Sequence, residues 1–246
     1  GENDYVDDDK INLTAMQEDL SSYKGKTSTS SPSPHEWENA FGDADVVFCI
    51  TITSSLSGTY NSAVIAKDIY EHNHTGRKVY VLDSLSTGPE IALFIEKIAE
   101  LIKAGFAPDD IYKTLLEYKD KTHLYFSLAS LNNFAKNGRI SPVIAAGIGL
   151  LGVRVVGKAS DEGTLLPLDK CRGEKRALKK LIDHLKECGY TDGKIIIAHN
   201  NNEAGALELK KLIENTFGIF NGKIQKTRAL CSYYAEPGSL LIGFEA

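Results

Sequence analysis

The sequence predicts an α/β protein in two parts. Residues 1–120 read as an N-terminal α/β/α domain on a parallel sheet, and 121–246 as a smaller α/β domain with a mixed sheet. Three observations carry this. VVFCITI at 46–52 and RKVYVL at 77–82 are short, nearly continuous apolar runs of the kind that strands covered on both faces show. Each is followed by a helical pattern, an alternation that calls for parallel strands with helical crossovers. Beyond residue 121 hairpin signals mix with helices, so the sheet there is of another kind.

In chain order, residues 1–34 are polar and turn-rich, with a weak helical pattern around Leu13 to Leu20, and close in TSTSSPSP. Pro34 then opens a helix, with Ser33 placed to cap it. The first strand follows at 46–52, a helix from Thr59, and the second strand with Asp83-Ser84 at its carboxyl end. The segment after Gly88 is a helix to about Lys103, stopped by Gly105, and Pro108 to Tyr118 is another. HLYFSLA at 123–129 is a strand, and a helix over Leu131 to Ala135 ends in an NGR turn. Residues 140–151 read as an apolar helix or buried segment. RVVGKA and Leu165-Leu166 flank a DEG turn as a hairpin. Glu174 to Cys188 is an amphipathic helix, IIIAHN at 195–200 a buried strand, and Glu203 to Asn215 a helix. KIQKTRAL and SLLIGFEA complete the sheet, separated by SYYAEPG.

Composition removes several function classes. With 28 basic against 33 acidic residues the net charge is −5, which gives no overall positive field for a phosphate backbone, so nucleic acid is not expected as a partner. Cys49, Cys171, Cys188 and Cys231 are widely spaced with no CxxC, as in a reducing, cytoplasmic setting. The longest strongly apolar stretch, Ile140 to Val153, is too short to span a bilayer.

The chemistry concentrates in hydroxyl-rich loops. SSLSGT at 54–59 lies directly after a buried strand and before a helix, where free backbone N–H groups and the helix dipole favour an anion. Serine and threonine are also simply good N-caps, and the loop alone does not decide between the two roles. TSSPS at 29–33 and DSLSTG at 83–88 recur at the same end of consecutive units. Together, such hydroxyls can hold one carboxylate or phosphate without a lysine. The loops contain neither the phosphate-binding GxxxxGK[ST] nor the G-x-S-x-G elbow of hydrolases.

Other constellations are weaker. His72 and His74 form the one tight histidine pair, in a turn, and no metal-ligand spacing is present. Asp83 is a strand-end carboxylate suited to capping, to Mg²⁺ or to nucleophilic attack. A hydrolase or phosphotransferase using Asp83 or a loop serine is therefore the alternative to a binding protein. Arg139, in the NGR turn, is either a surface group or a donor supporting the loops. Lys175, Arg176, Lys179 and Lys180, with Arg172 ahead of them, make the most basic local surface, either a solvated face or a dock for an acidic partner.

Four stretches resemble the DegV family of bacterial fatty acid-binding proteins. TSSPSP at 29–34 is similar to its TSQPS loop and ITSSLSGTYNSA at 52–63 to its ISSxLSGTYxSA segment. LNNFAKNGRIS at 131–141 is similar to LxxLxKGGRIS, and KCRGEKRAL at 170–178 to K-x-RG-x-KKAL. The resemblance implies a non-catalytic lipid carrier with no cofactor, whose ligand is a long-chain fatty acid and whose partner in some bacteria is a fatty acid kinase. It implies carboxylate binding by Thr29, Ser30, Ser57 and Gly58, a supporting polar network with Arg139 and Tyr234, and partner docking at Arg172. On that reading the uncharged Ile140–Val153 stretch is either a wall for the acyl chain or plain buried core. The family's opening strand has no counterpart in residues 1–11, so the resemblance also implies a preceding segment that completes the first sheet.

The chain departs from the family pattern at four places. Ser31 replaces a glutamine, Asn137 the first glycine of GGR, and Arg154-Val155 a Lys-Pro pair. YAEPG at 234–238 replaces HxGPG, which puts Tyr234 where the family has a histidine. A phenol donates to a carboxylate but, unlike an imidazole, does not switch charge near neutral pH.

Overall fold

A computed structural model describes residues 3–140 and 152–246. In chain order the helices among the described residues are α1 (Leu13–Ser22), α2 (Pro34–Phe41), α3 (Thr59–Asn73), α4 (Pro89–Lys103) and α5 (Pro108–Lys119). They continue with α6 (Asn132–Lys136), α7 (Glu174–Glu187), α8 (Glu203–Phe217) and α9 (Ala229–Ala235). The strands are β1 (Val46–Thr51), β2 (Lys78–Asp83), β3 (Thr122–Leu128), β4 (Val153–Ala159), β5 (Leu165–Arg172), β6 (Ile195–His199), β7 (Gly222–Lys226) and β8 (Leu240–Glu245). Most of the Ile140–Val153 stretch, residues 141–151, lies outside the described residues, and with it the apolar helix or buried segment expected there.

Strands β1 and β2 pair in parallel, with Val46 opposite Lys78 and Thr51 opposite Asp83. The other six form one mixed sheet in the order β5-β4-β3-β8-β6-β7, in which only β6 and β7 run parallel. This is the mixed α/β architecture expected. Its layers follow from which residues alternate inward. Cys49, Val79 and Val81 face Phe41, Ala63, Ala66 and Tyr70 of α2 and α3. The opposite side of β1 and β2 meets α4 and α5 through Leu82, Phe48 and Ile50 against Leu93, Phe94, Ile98 and Leu115, a cluster that also takes in Ile196 of β6. So α4 is packed between the two sheets. The far face of the large sheet is covered by α7 and α8, where Leu178, Leu181, Leu185, Leu209 and Ile213 bury Ile195, Ile197, Ile242 and Phe244.

Helix starts follow local chemistry. Ser33 and Glu36 make a complete capping box for α2, with Pro34 in its first turn, as the sequence expects. The C-terminal region differs from expectation. Gly222 and the first four residues of the KIQKTRAL stretch form edge strand β7, but the chain then turns, and 229–235 is the helix α9 rather than strand and loop. Its cap comes from far away: the Asp7 carboxylate accepts the backbone N–H groups of Ala229 at 3.1 Å and Leu230 at 2.9 Å. A carboxylate at this position satisfies orphan donors and complements the helix dipole.

One further cluster matters for the site. Leu124, Phe126 and Leu128 of β3 join Val155, Ala198 and Leu241 on the same face of the large sheet, together with Leu131 and Ala235. Phe134, Ile140, Ala159 and Leu165 pack against them. This apolar patch lies toward the end of the sheet where β3 runs into α6 and α9 runs into β8.

Candidate functional site

The loop SSLSGT leaves β1 and enters α3, while DSLSTG leaves β2 and enters α4, so both lie at the carboxyl ends of parallel strands. Backbone and carboxylate bonds tie them together: Thr53 N–H donates to the Ser86 carbonyl at 2.9 Å, and Ser54 N–H to Asp83 Oδ1 at 3.1 Å. The same Asp83 oxygen accepts Leu85 N–H at 3.1 Å, and Leu85 adopts φ +51°. Asp83 is thus a turn-building acceptor here. The β4–β5 turn closes the other side: Thr53 Oγ1 donates to the Gly163 carbonyl at 2.8 Å, and Ser55 Oγ donates to the Glu162 carbonyl. Gly163 has φ +75°, and a Cβ on it would run into the Thr53 hydroxyl. Only glycine fits that contact without strain.

The three hydroxyl loops part ways at this level. Ser84 and Ser86 are buried and point inward: the Ser86 hydroxyl donates to Glu90, and Ser84 Oγ accepts Ser86 N–H at 3.1 Å. Glu90 also accepts from Thr122 Oγ1 at 2.8 Å, and burial raises its carboxyl pKa despite these two hydroxyl donors and nearby Lys119. The third loop therefore anchors α4 to β3. The first two loops meet each other: Ser62 Oγ donates to the Pro32 carbonyl at 2.6 Å, and a Cβ on Gly58 would lie 3.7 Å from Ser31 Oγ.

Two hydroxyl pairs result. Ser57 Oγ and Thr59 Oγ1 are 2.7 Å apart, and Thr29 Oγ1 lies 2.8 Å from the Tyr234 phenol. In such a pair one O–H donates to its neighbour, so one O–H is left to donate outward. Each pair offers one proton, and neither carries formal charge. Arg139, half-buried, donates through Nε to the Leu56 carbonyl at 3.2 Å and through Nη1 to the Asn137 carbonyl. It fixes the SSLSGT backbone against the NGR turn. The left-handed residue of that turn is Gly138, at φ +69°. Asn137, at φ −97°, acts through its side chain.

The phenol of Tyr234 also joins the hydroxyls to the apolar patch, since its ring lies 4.8 Å from that of Phe134. Behind it, Glu236 (φ +58°) accepts from Ser130 Oγ at 2.9 Å and from Asn133 N–H at 3.1 Å. Arg154 Nη1 donates to the Gly238 carbonyl at 2.7 Å while its Nη2 meets Glu174 at 3.0 Å. The YAEPG turn is therefore braced from the α7 side.

Of the residues singled out from sequence, Thr29 and Tyr234 come into contact, Ser57 and Gly58 share the α3 entrance, and Arg139 reaches the same loop. Ser30 is exposed. Arg172 is exposed at the end of β5, opposite Val153, and no hydrogen bond joins it to the hydroxyl pairs among the described residues. Thr27, Thr59, Asn137 and Tyr233 also belong to the cluster and were not predicted as site residues. The repeated hydroxyls of 27–33 and 54–59 were the available signal for the two threonines. A cavity of about 370 Å³ lined by Lys97, Tyr118, Lys121 and Glu245 lies at the opposite end of β3 and β8. Among the described residues no group of three or more His, Cys, Asp or Glu side chains could hold a metal ion, and no helix is long and apolar enough to cross a membrane.

Comparison with known proteins identifies the family and the fold. The model of the DegV family matches residues 1–246. A DegV domain-containing protein of Streptococcus pneumoniae is 41% identical over 241 residues, covering 98% of this chain and 86% of its own. Among solved structures, a DegV family protein from Eubacterium eligens loaded with heptadecanoic acid superposes with a TM-score of 0.97 at 40% identity, covering 100% of this chain and 90% of that one. The fatty acid kinase B3 protein of Streptococcus pneumoniae loaded with linoleic acid gives the same TM-score and identity, covering 100% and 87%.

Proposed function

The chain belongs to the DegV family, and on that footing we propose that it binds a long-chain fatty acid, with the carboxylate on the hydroxyl pairs and the acyl chain along the apolar patch. The observation that carries this reading is the Thr29–Tyr234 pair, seated directly on Phe134 at the edge of that patch. Two outward O–H groups are as many as the two oxygens of one carboxylate can accept from, one each, and hydrogen bonds to a charged acceptor are the strong kind. Leu124, Phe126, Leu131, Val155 and Leu165 provide an apolar surface for the chain. Roughly 14 buried methylenes, at about 0.8 kcal/mol each, give about 11 kcal/mol gross. Ordering and imperfect desolvation offset part of that.

The role is one of carriage rather than catalysis. In support, the Asp83 oxygen that would have to act on a substrate already accepts two backbone N–H groups. Presentation to a fatty acid kinase extends the reading. It is supported by the kinase-linked name of the pneumococcal relative and by the exposed Arg172 ahead of the lysine-rich α7.

Mass spectrometry of protein purified without added lipid, native and then after organic extraction, tests the proposal. A stoichiometric adduct at a fatty-acid mass is the expected result. Protein that carries none, and takes up none when fatty acids are added, would overturn it.

A further inference from the structure

Residues 23–33 cross the site as a strap with neither helix nor strand, and they are mostly exposed. Among the described residues no backbone–backbone hydrogen bond joins residues 24–32 to the rest of the chain. Among the described residues three side-chain bonds hold residues 24–32 instead: Ser62 to the Pro32 carbonyl, Thr29 to Tyr234, and Thr27 Oγ1 to the Tyr233 phenol at 2.7 Å. Thr27 and Thr29 are half-buried while Ser28 and Ser30 are exposed, so the strap turns every second side chain inward.

The surroundings favour one direction for the bond at Thr27. Asn137 Nδ2 donates to the Asn133 carbonyl at 2.9 Å, which identifies that atom as the amide nitrogen, and it also lies 2.8 Å from the Tyr233 oxygen. An amide nitrogen only donates, so the phenol accepts from Asn137, and among the described residues Thr27 Oγ1 is the partner left to take its proton. Tyr233 is buried on α9, its ring is edge-on to Tyr234 at 5.0 Å, and its carbonyl accepts from Asn133 at 2.8 Å. The relay therefore starts on the turn that ends α6 and finishes on the strap.

We infer that Tyr233 is a positioning residue for ligand retention: it passes the Asn137 hydrogen bond to Thr27 and so holds the strap in the register that brings Thr29 to Tyr234. This rests on the fatty-acid reading of the site. The strap is the kind of weakly bonded segment that opens without global unfolding. A ligand beneath it leaves when it lifts, and the Tyr233 proton sets how often that happens.

Two measurements separate this inference from the reading beneath it. The first is tryptic cleavage after Lys24 and Lys26 in ligand-free protein. Loss of one or two hydrogen bonds should raise the population of the open strap, so Tyr233→Phe should accelerate cleavage by roughly tenfold while the melting temperature falls by only about 2–5 °C. Thr27→Val should do the same and the double mutant no more, while Thr27→Ser should behave as wild type. The second is the dissociation rate of cis-parinaric acid, expected to rise by about the same factor in Tyr233→Phe. Cleavage unchanged in both single mutants overturns the latch whether or not the probe binds. Faster cleavage with an unchanged dissociation rate overturns its role in retention. Wild-type protein that does not bind the probe counts against the fatty-acid reading and, with it, the retention role, while the cleavage rates still decide the latch.

Discussion

The hydroxyl oxygens of Thr29 and Tyr234 stand 2.8 Å apart although 205 residues separate them in the chain. One belongs to an irregular strap and the other to a seven-residue helix, and neither carries a charge. An anion held at this junction is held by donors whose aim depends on how well the strap and helix are kept in place.

Removing the donors should therefore have graded effects. Ser57→Ala takes away one member of the pair at the α3 entrance and should weaken fatty acid binding by roughly 10- to 100-fold, the range for a hydrogen bond to a charged group. Tyr234→Phe leaves Thr29 with its own proton free to donate and should cost less. Titration with a fluorescent fatty acid measures both. Equal binding by wild type and a Thr29→Ala, Ser57→Ala double mutant would move the head group elsewhere.

Glu90 should make stability depend on pH in an unusual direction for a carboxylate. Burial raises its folded-state pKa above the unfolded value, so the native state holds the proton more tightly. Its contribution is full below the ordinary glutamate range and is lost as pH rises through the folded value. Glu90→Gln, which cannot ionise, should lose this dependence, and its melting temperature relative to wild type should climb from acidic toward neutral pH. A constant difference across that range would show that Glu90 does not titrate as described.

Gly163 is held between a positive φ and the Thr53 hydroxyl. Gly163→Ala should destabilise the protein by about 1–3 kcal/mol and, because Thr53 and Ser55 both donate to this turn, should loosen SSLSGT as well. Chemical denaturation and ligand titration on the same variant check both effects. A loss of stability with unaltered binding would uncouple the turn from the site.

The Cys49 thiol, on β1 against α3, has its pKa pushed up to about 12 by burial. A neutral thiol is a poor nucleophile. Cys49 should stay unmodified by iodoacetamide at pH 8 in the native protein and react at once on unfolding. Peptide mapping after timed labelling gives the answer, and rapid native modification would mean that β1 is more open than its packing indicates.

What could be read from sequence was whatever announces itself locally. The β-branched runs gave β1 and β2, and Ser33 with Glu36 three residues on fixed the start of α2. Helix α9 was missed because ALCSYYA is short, built of modest helix formers, and capped by Asp7 from the other end of the chain. The same reason hid Tyr233: its partner Thr27 is 206 residues away, and only folding brings them together. The hydroxyl loops were visible because each follows a strand. That the DSLSTG hydroxyls turn inward to Glu90 depends on where β3 passes, which no local pattern records.

The position of α4 between two sheets has a temporal consequence. Its first neighbours, β1 and β2, precede it in the chain, but Phe94 and Ile98 also share a cluster with Ile196, and Gly243 packs against the backbone of Pro89 and Glu90. During synthesis the β1–α3–β2 unit has its partners at hand, whereas one side of α4 stays bare until β6 and β8, which follow it at long range in the chain, arrive. Such long-range closure is slow and leaves apolar surface uncovered meanwhile. Until those strands emerge α4 waits for its second partner, and in that interval its uncovered apolar side is open to aggregation.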